Sequence, residues 1–437
     1  QRPRNERLVH DPAPVTGFRE DDAVVSVTVP KSSIFRKVAD FLGLRRSIVG
    51  LLSMAVLVGL GEHMAEQFLP LYLLALGGGF LSVGILNGLD NLLGALYSFP
   101  GGYLSDKLGT KRALLLFNVV AGAGFLIVII VPSWPAVLAA AALFLSWTAI
   151  SLPATMSLVS RVLPKNKRTM GVSMHSLIRR VPMTLGPLVG GAFIGTFGLE
   201  RGIRLAFVAA LLMTVIAAIA QQYLIEDDRK PDTPDDEPHI NPWRCWPLMN
   251  ASLKRLLVAD ILVRFCEQIP YAFVVVWAVG TKQHPGPVSE LQFGTLRAVE
   301  MVTAVLVYIP VAAMADRMGK KPFVVLTFGF FTLFPLVLLF STSHLLLVLA
   351  FVVRGLKEFG EPARKAMIVD LAPEGRKASV FGLYYLVRDT VVSIAAFGGA
   401  FLWQASPTVN LLTAFAFGLL GTLWFAWKGR DIAPATA

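Results

Sequence analysis

Cysteine is nearly missing from this 437-residue chain, with only Cys245 and Cys266 present. Two cysteines so placed build no disulfide framework and no zinc spacing. Charge is scarce as well. Asp, Glu, Lys and Arg make up 16% of the residues, where soluble domains carry about 25%. No nucleophile elbow, phosphate-cradling glycine loop or Cys/His cluster occurs, so no enzyme, cofactor or bound metal is expected.

What fills the chain instead is apolar sequence: 55% hydrophobic residues and a mean hydropathy of +0.63. Crossing ~30 Å of hydrocarbon takes ~20 mostly apolar residues per helix. Twelve such spans are predicted, at 47–75, 81–104, 112–131, 135–159, 168–195, 203–225, 256–280, 290–314, 322–340, 344–370, 376–403 and 406–428. Residues 1–46 are rich in charge and proline and have no apolar core, so they read as a largely disordered tail. The stretch 226–255 opens with a charged, proline-rich run from Glu226 to His239 and reads as a flexible linker. It separates a bundle at 47–225 from one at 256–428, with a short tail at 429–437.

The net charge of +11 would suit nucleic acid, but its placement argues for a membrane. Of forty Lys and Arg, 28 fall on one side of the twelve-span pattern. Only Arg201, Arg204 and Lys282 fall on the other, and nine lie inside spans. This is the positive-inside distribution, which predicts that both termini and the linker are cytoplasmic and that nucleic acid is not a partner.

The chain also repeats itself at an offset of about 210 residues. Gly102-Tyr-Leu-Ser-Asp106-Lys107-Leu-Gly109-Thr-Lys111-Arg112 returns as Ala312-Ala-Met-Ala-Asp316-Arg317-Met-Gly319-Lys320-Lys321, and Pro100 precedes the first copy as Pro310 does the second. With twelve spans and a central loop, this loop motif resembles the major facilitator superfamily, whose loop between helices 2 and 3 reads Gly-x-Leu-Ala-Asp-Arg-x-Gly-Arg-Lys. Gly102, Leu104, Asp106, Gly109 and Lys111 match, while Lys107 and Thr110 depart from it. The resemblance covers nearly everything after residue 46. It implies an all-α membrane protein of two pseudo-symmetric six-helix bundles, moving a small organic solute by alternating access along a path between the halves. It further implies a bacterial inner-membrane protein that works as a monomer. For the motif itself it implies a gating latch; the alternative is a structural turn with topology-setting charges.

A second motif, Gly186-Pro187-Leu-Val-Gly190-Gly191 in the fifth span, resembles the Gly-Pro-x-x-Gly-Gly core of the family's drug:proton antiporters. Pro182 stands where those carry a further Gly. Their helix 4 Arg is also missing, since Leu143 to Pro153 holds no charge; Arg354-Gly-Leu-Lys357-Glu358 in the tenth span carries something similar.

Setting aside the two residues at each span end, nine acids and nine bases fall within the spans. Each costs ~2.5 kcal/mol or more at a lipid-facing helix centre, so they should face inward and pair with one another or with cargo. Symmetry narrows the field. Glu66-Gln67 echoes Glu267-Gln268, Asp90 precedes Glu300 by 210 residues, and Arg179 precedes Arg388 by 209. Glu66, Asp90, Glu267 and Glu300 are the candidates for proton coupling, because a carboxylate can exchange a proton as its surroundings change. The remaining cavity candidates are Glu62, His63, His175, Arg179, Arg264, Arg297, Arg354, Glu358, Arg388 and Asp389. For each, the alternative is a salt bridge that joins helices.

These features together predict a proton-coupled exporter. An importer or exchanger of an anionic metabolite is the alternative, suggested by the basic fifth, tenth and eleventh spans. A metal-ion transporter using Glu62, His63 and Glu66 is remoter. The charge distribution is testable by itself: cysteines introduced at Gly78 and Ser133 should react with an impermeant maleimide only from outside. Labelling solely from the cytoplasm would reverse the topology.

Overall fold

The computed structural model describes residues 46–145, 147, 151, 155, 178–226, 246–281, 284–373 and 377–430. Its elements are helices: α1 (Arg46–Glu66), α2 (Leu69–Ala75), α3 (Gly79–Leu108), α4 (Thr110–Ile130), α5 (Trp134–Phe144), α6 (Arg180–Phe197) and α7 (Leu199–Leu224) in the N-terminal half. The C-terminal half has α8 (Ala251–Gln268), a 3₁₀ turn (Tyr271–Phe273), α9 (Val274–Val279), α10 (Glu290–Met318), α11 (Lys321–Leu339), α12 (His344–Leu356), α13 (Glu361–Leu371), α14 (Lys377–Ala405) and α15 (Pro407–Lys428). Among the described residues, eight stretches are long and apolar enough to cross a membrane.

Three spans expected to be continuous are broken. The first breaks between Glu66 and Leu69, the seventh after Gln268, and the tenth between Leu356 and Glu361. Each break lies beside a proline, Pro70, Pro270 or Pro362, which lacks an N–H and clashes with the preceding turn. Such breaks are tolerated inside a membrane where the freed backbone groups are buried in protein or line a cavity. The first and seventh breaks are equivalent by the repeat, and each places a Glu-Gln pair at its edge. The remainder of the fourth span lies almost wholly outside the described residues, as does the start of the fifth.

The repeat is also visible in the turns. Gly109 joins α3 to α4 at φ 82°, and Gly319 leads from α10 towards α11 at φ 90°. That left-handed conformation suits glycine and strains other residues, which accounts for the residue at both copies of the motif. Within the N-terminal half, a buried polar chain ties α4 to α7: Trp147 Nε1 donates to Asn118 Oδ1 at 2.9 Å, and Asn118 Nδ2 donates to Gln221 Oε1 at 2.8 Å. Leu212, Ile216 and Ile219 on α7, and Leu420 and Leu423 on α15, are exposed. They form the apolar outer surface that a bilayer covers.

The two halves meet along two seams, α3 with α14 and α6 with α10. Both rely on glycine. Gly84 and Gly88 of α3 receive Ala400 and Phe397 of α14, and Gly191 of α6 abuts the backbone of Glu290 and Leu291 on α10. These contacts cluster towards the end of the molecule that carries Gly78, Gly198 and Ser289. There a single apolar core runs across both halves, through Leu69, Phe273, Phe293, Phe351 and Trp403. At the opposite end, near Gly109 and Gly319, the C-terminal half has a core of its own around Phe323, Met367 and Phe425. The halves are therefore closed together at one end.

Glycine spacing on α6 gives a sharp test. A Cβ on Gly190 would lie 1.9 Å from the Met64 carbonyl oxygen, whereas one on Gly195 would meet nothing within 4 Å. Gly190→Ala should lower the melting temperature by several degrees, while Gly195→Ala should stay within about 0.5 kcal/mol of the parent. Equal melting of the two variants in detergent would contradict the packing.

Candidate functional site

The intramembrane charges collect between the halves and in the C-terminal half, in three connected groups. The first lies where α1 breaks. Glu66 closes α1, and its Oε2 lies 2.6 Å from His63 Nδ1, one turn earlier. Asp90 on α3 shares with Glu66 a small cavity of about 40 Å³, lined also by Asn87, Tyr271, Phe293 and Arg354. Among the described residues, Asp90 has no hydrogen-bond or ion-pair partner. Glu62 is buried one turn before Glu66, and Arg179 interacts with it electrostatically.

The second group surrounds Glu300 on α10. Arg297 donates to it through Nη1, Arg354 Nε lies 3.4 Å away and Lys357 Nζ 3.6 Å away. The Arg354 guanidinium also sits over the rings of Tyr271, Phe334 and Phe351. Lys357 then reaches Glu267 Oε1 at 2.7 Å, which joins this group to the third.

That third group fills the centre of the C-terminal half. Arg264 donates to Glu267 at 2.6 Å and to Glu361 at 2.8 Å. Arg364, 1% exposed, bridges Asp260 at 2.5 Å and Glu361 at 2.8 Å, and Tyr384 donates to Asp260 at 2.9 Å. Arg388 completes the chain, 3.5 Å from Asp260 and 2.7 Å from Asp389. Lys357, in the break between α12 and α13, reaches Glu267, and Glu361, at the start of α13, reaches Arg264.

Symmetry in the sequence makes the four carboxylate candidates equivalent, and the structure separates them. Glu267 and Glu300 are each surrounded by two or more cations. Glu66 and Asp90 come together at one cavity, with His63 on one and no cation bonded to the other. Polar contacts also cross between the halves. Asn87 Nδ2 donates to the Gln268 carbonyl at 3.0 Å, Asn91 Nδ2 to Gln268 Oε1 at 3.1 Å, and Arg180 Nη2 lies 3.5 Å from Glu358 Oε2. Asn87, Asn91 and Tyr271 were not singled out from sequence, and Gln268 entered only as the neighbour of Glu267 in the repeat. The signal was present in Asn87 and Asn91, two amides one turn apart on the helix that carries Asp90.

A cavity of about 350 Å³ extends from Asp90 and Asn91 on α3 to Arg264, Gln268, Arg388 and Asp389 in the other half. The larger cavity, about 1040 Å³, lies at the Gly78 end and is lined by Leu71, Phe80, Leu199, Gly280, His284 and Gln292 among others, away from these charges.

The Gly-Pro-x-x-Gly-Gly motif sits behind the first group. Gly186 packs on His63 and Gly190 on the Met64 carbonyl, while Gly191 faces Glu290 and the Pro187 carbonyl meets Gly294 across the seam. One helix thus touches both the His63–Glu66 pair and the opposite half. In the loop motif, Lys111 Nζ donates to the Gln222 carbonyl at 2.8 Å, and Lys321 opens α11. The backbones of Gly102, Asp106, Asp316 and Arg317 lie in α3 and α10, and their side chains fall outside the described residues, as does the whole of His175. Among the described residues, no group of three or more His, Cys, Asp or Glu is placed to hold a metal ion.

A family model described as Major Facilitator Superfamily matches residues 51–284 and again 256–436. An uncharacterized MFS-type transporter of Methanocaldococcus jannaschii is 21% identical over 373 residues, covering 83% of this chain and 90% of that protein. Multidrug efflux pump LfrA of Mycolicibacterium smegmatis is 25% identical over 190 residues, which cover 42% of this chain and 31% of the pump. A crystal structure of peptide transporter POT in complex with sulfate superposes with a TM-score of 0.71 at 17% identity, over 87% of this chain and 94% of that one. At that identity the likeness is one of fold.

The buried network predicts an asymmetric cost. Removing Arg364 alone leaves Asp260 and Glu361 short of their main partner, so Arg364→Met should cost ~3–5 kcal/mol and show as low yield and early melting. Replacing the half-exposed Lys365, 4.0 Å from Glu361, should change melting little. Parent-like melting of Arg364→Met would show that the network adds nothing to stability.

Proposed function

This chain belongs to the Major Facilitator Superfamily, and from that premise we propose that it exchanges a small organic solute for protons, with Asp90 as the proton-carrying carboxylate. Membership makes it a multi-pass membrane transporter with a small-molecule cargo. Proton coupling rests on one observation: Asp90 lines the cavities between the halves and has no partner among the described residues. A carboxylate tied to two or three cations has little reason to change protonation. One that faces a cavity and a second carboxylate can gain a proton in one access state and lose it in another. Glu66, paired with His63, is placed to share that proton.

Closure at the Gly78 end fits an alternating-access cycle. With the positive-inside charges cytoplasmic, the Gly78 end faces outward, and the cavity beside Asp90 lies towards the cytoplasmic side of the closed seams. Cargo entering from the cytoplasm would meet Asp90 and favour loss of its proton. The halves would then rock about the α3–α14 and α6–α10 seams, a shift between states a few kcal/mol apart. Export is favoured by the glycine motif on α6, which couples the His63–Glu66 pair to a seam, and by the partial likeness to an efflux pump. The loop motif around Asp106 would act as a latch at the opposite end. Uptake of an anionic metabolite is the weaker reading, because an anion alone would leave Asp90 facing the cavity without a partner, and Arg297 and Arg364 are engaged by carboxylates of the protein itself.

Inverted membrane vesicles with a respiration-generated pH gradient test this without a known cargo. A small-molecule extract of bacterial cells should collapse the gradient faster in vesicles carrying the protein. Asp90→Asn should remove that effect while the protein still inserts and melts normally, since the amide matches the protonated acid in shape. Undiminished proton counterflow through Asp90→Asn would sink the assignment.

A further inference from the structure

We infer that the cargo is a small hydrophilic zwitterion, an amino-acid-like solute whose ammonium faces Asp90 and whose carboxylate faces the Arg264–Arg388 wall. This rests on the reading of the chain as a transporter whose path runs between the halves, and it concerns what the cavity beside Asp90 is built to hold.

The charge balance of the two walls differs in sign. Inside its spans the N-terminal half carries three acids, Glu62, Glu66 and Asp90, against two bases, Arg179 and Arg180. The C-terminal half carries six acids against seven bases. Lys365, one of those seven bases, is half-exposed and lies outside the lining; around the 350 Å³ cavity itself the N-terminal half supplies Asp90, and the C-terminal half supplies Arg264 and Arg388 against Asp389, one positive charge in excess. The surplus carboxylate is identifiable, because Asp90 has no partner among the described residues. On the other wall the surplus is shared through the linked network. Arg264 and Arg388 are the members that reach the cavity; Arg388 Nη1 makes no hydrogen bond and lies 3.5 Å from Asp260 Oδ2. A solute bearing both charges completes both walls at once. A pure cation or a pure anion satisfies one and leaves the other.

The uncharged groups agree. Asn91 Nδ2 is occupied by Asn87 and Gln268, but its Oδ1 is not bonded to any described residue, and neither is Gln268 Nε2. The seam therefore offers one acceptor and one donor to a polar solute. The rest of the lining is Gly94, Ala95, Leu145 and Val392, with no aromatic ring. Sites for drug-like molecules are lined mainly by hydrophobic and aromatic side chains, so this wall does not suit a lipophilic drug. Its volume accommodates a solute about the size of ten water molecules.

Three probes with one carbon skeleton separate the possibilities: 6-aminohexanoate, hexylamine and hexanoate, measured against purified protein by melting temperature and calorimetry. The zwitterion should raise the melting temperature most and bind at least about tenfold more tightly than either single-charge probe. Asp90→Asn should reduce its affinity to that of hexanoate. Arg388→Gln should reduce it to that of hexylamine, and Arg388→Lys, which keeps the charge, should retain part of it and guards against loss through misfolding. Equal binding of hexylamine, or of hexanoate, overturns the zwitterion assignment. So does the absence of any shift with 4-aminobutyrate, 6-aminohexanoate and 8-aminooctanoate alike. These measurements use no gradient, so proton counterflow with cell extract but no zwitterion binding would remove this inference and leave the proton reading standing. Zwitterion binding with flux indifferent to pH would do the reverse.

Discussion

The cost of holding charge in hydrocarbon governs this molecule. An ionised side chain at the bilayer centre is tolerated only when it faces the interior and is neutralised there. The chain places eighteen ionisable residues inside its spans, and the C-terminal half answers with a linked network from Glu300 through Lys357, Glu267, Arg264, Glu361 and Arg364 to Asp260 and Arg388. Buried ion pairs of this kind contribute little net stability, because desolvation offsets most of the Coulombic gain, but breaking one is costly. The network therefore holds the ends of α8, α12, α13 and α14 in one arrangement. Against that linked background, Asp90, without a partner among the described residues, stands out as the group available for exchange.

The interrupted helices serve the same constraint. Pro70 and Pro270 break equivalent spans at the level of the charges, and Pro362 follows the break in the tenth. At the third break Lys357 meets Glu267 and Glu300, while Glu361 meets Arg264 and Arg364. Glycine does the complementary work along the seams. Where lipid supplies no hydrophobic drive between helices, close backbone approach through small residues sets their association. Gly191 and Gly294 give α6 and α10 that approach, and Gly84 and Gly88 give it to α3 and α14.

Much of the architecture was legible beforehand, because a bilayer imposes a length and a polarity that a one-dimensional pattern can carry. The spans, the doubled loop motif and its glycine turns are local features: Gly109 and Gly319 are required by their own backbone conformation, whatever surrounds them. The proline breaks were visible as prolines, yet three spans were expected to run straight through them, since proline in a membrane helix can kink as well as interrupt. The candidate site was legible as a set of residue types at related offsets, which brought Glu66, Asp90, Glu267 and Glu300 forward as equals.

Only the tertiary structure distinguished among them. Whether a buried acid is paired depends on side chains from other elements: Glu300 receives Arg354 from α12 and Lys357 from the break that follows it, and Glu267 receives the same Lys357, while α3 brings Asp90 to a cavity wall with no cation bonded to it. The same holds for the seam, where Gln268 meets Asn87 and Asn91 across about 180 residues of chain. The sequence by itself determined that this chain crosses a membrane in two repeated halves with charge confined between them, because length, hydropathy and repetition are properties of consecutive residues. Which charges neutralise one another, and which one is left facing the path, was decided by packing, because partners in a folded chain are chosen by distance in space and leave no periodic mark in the order of residues.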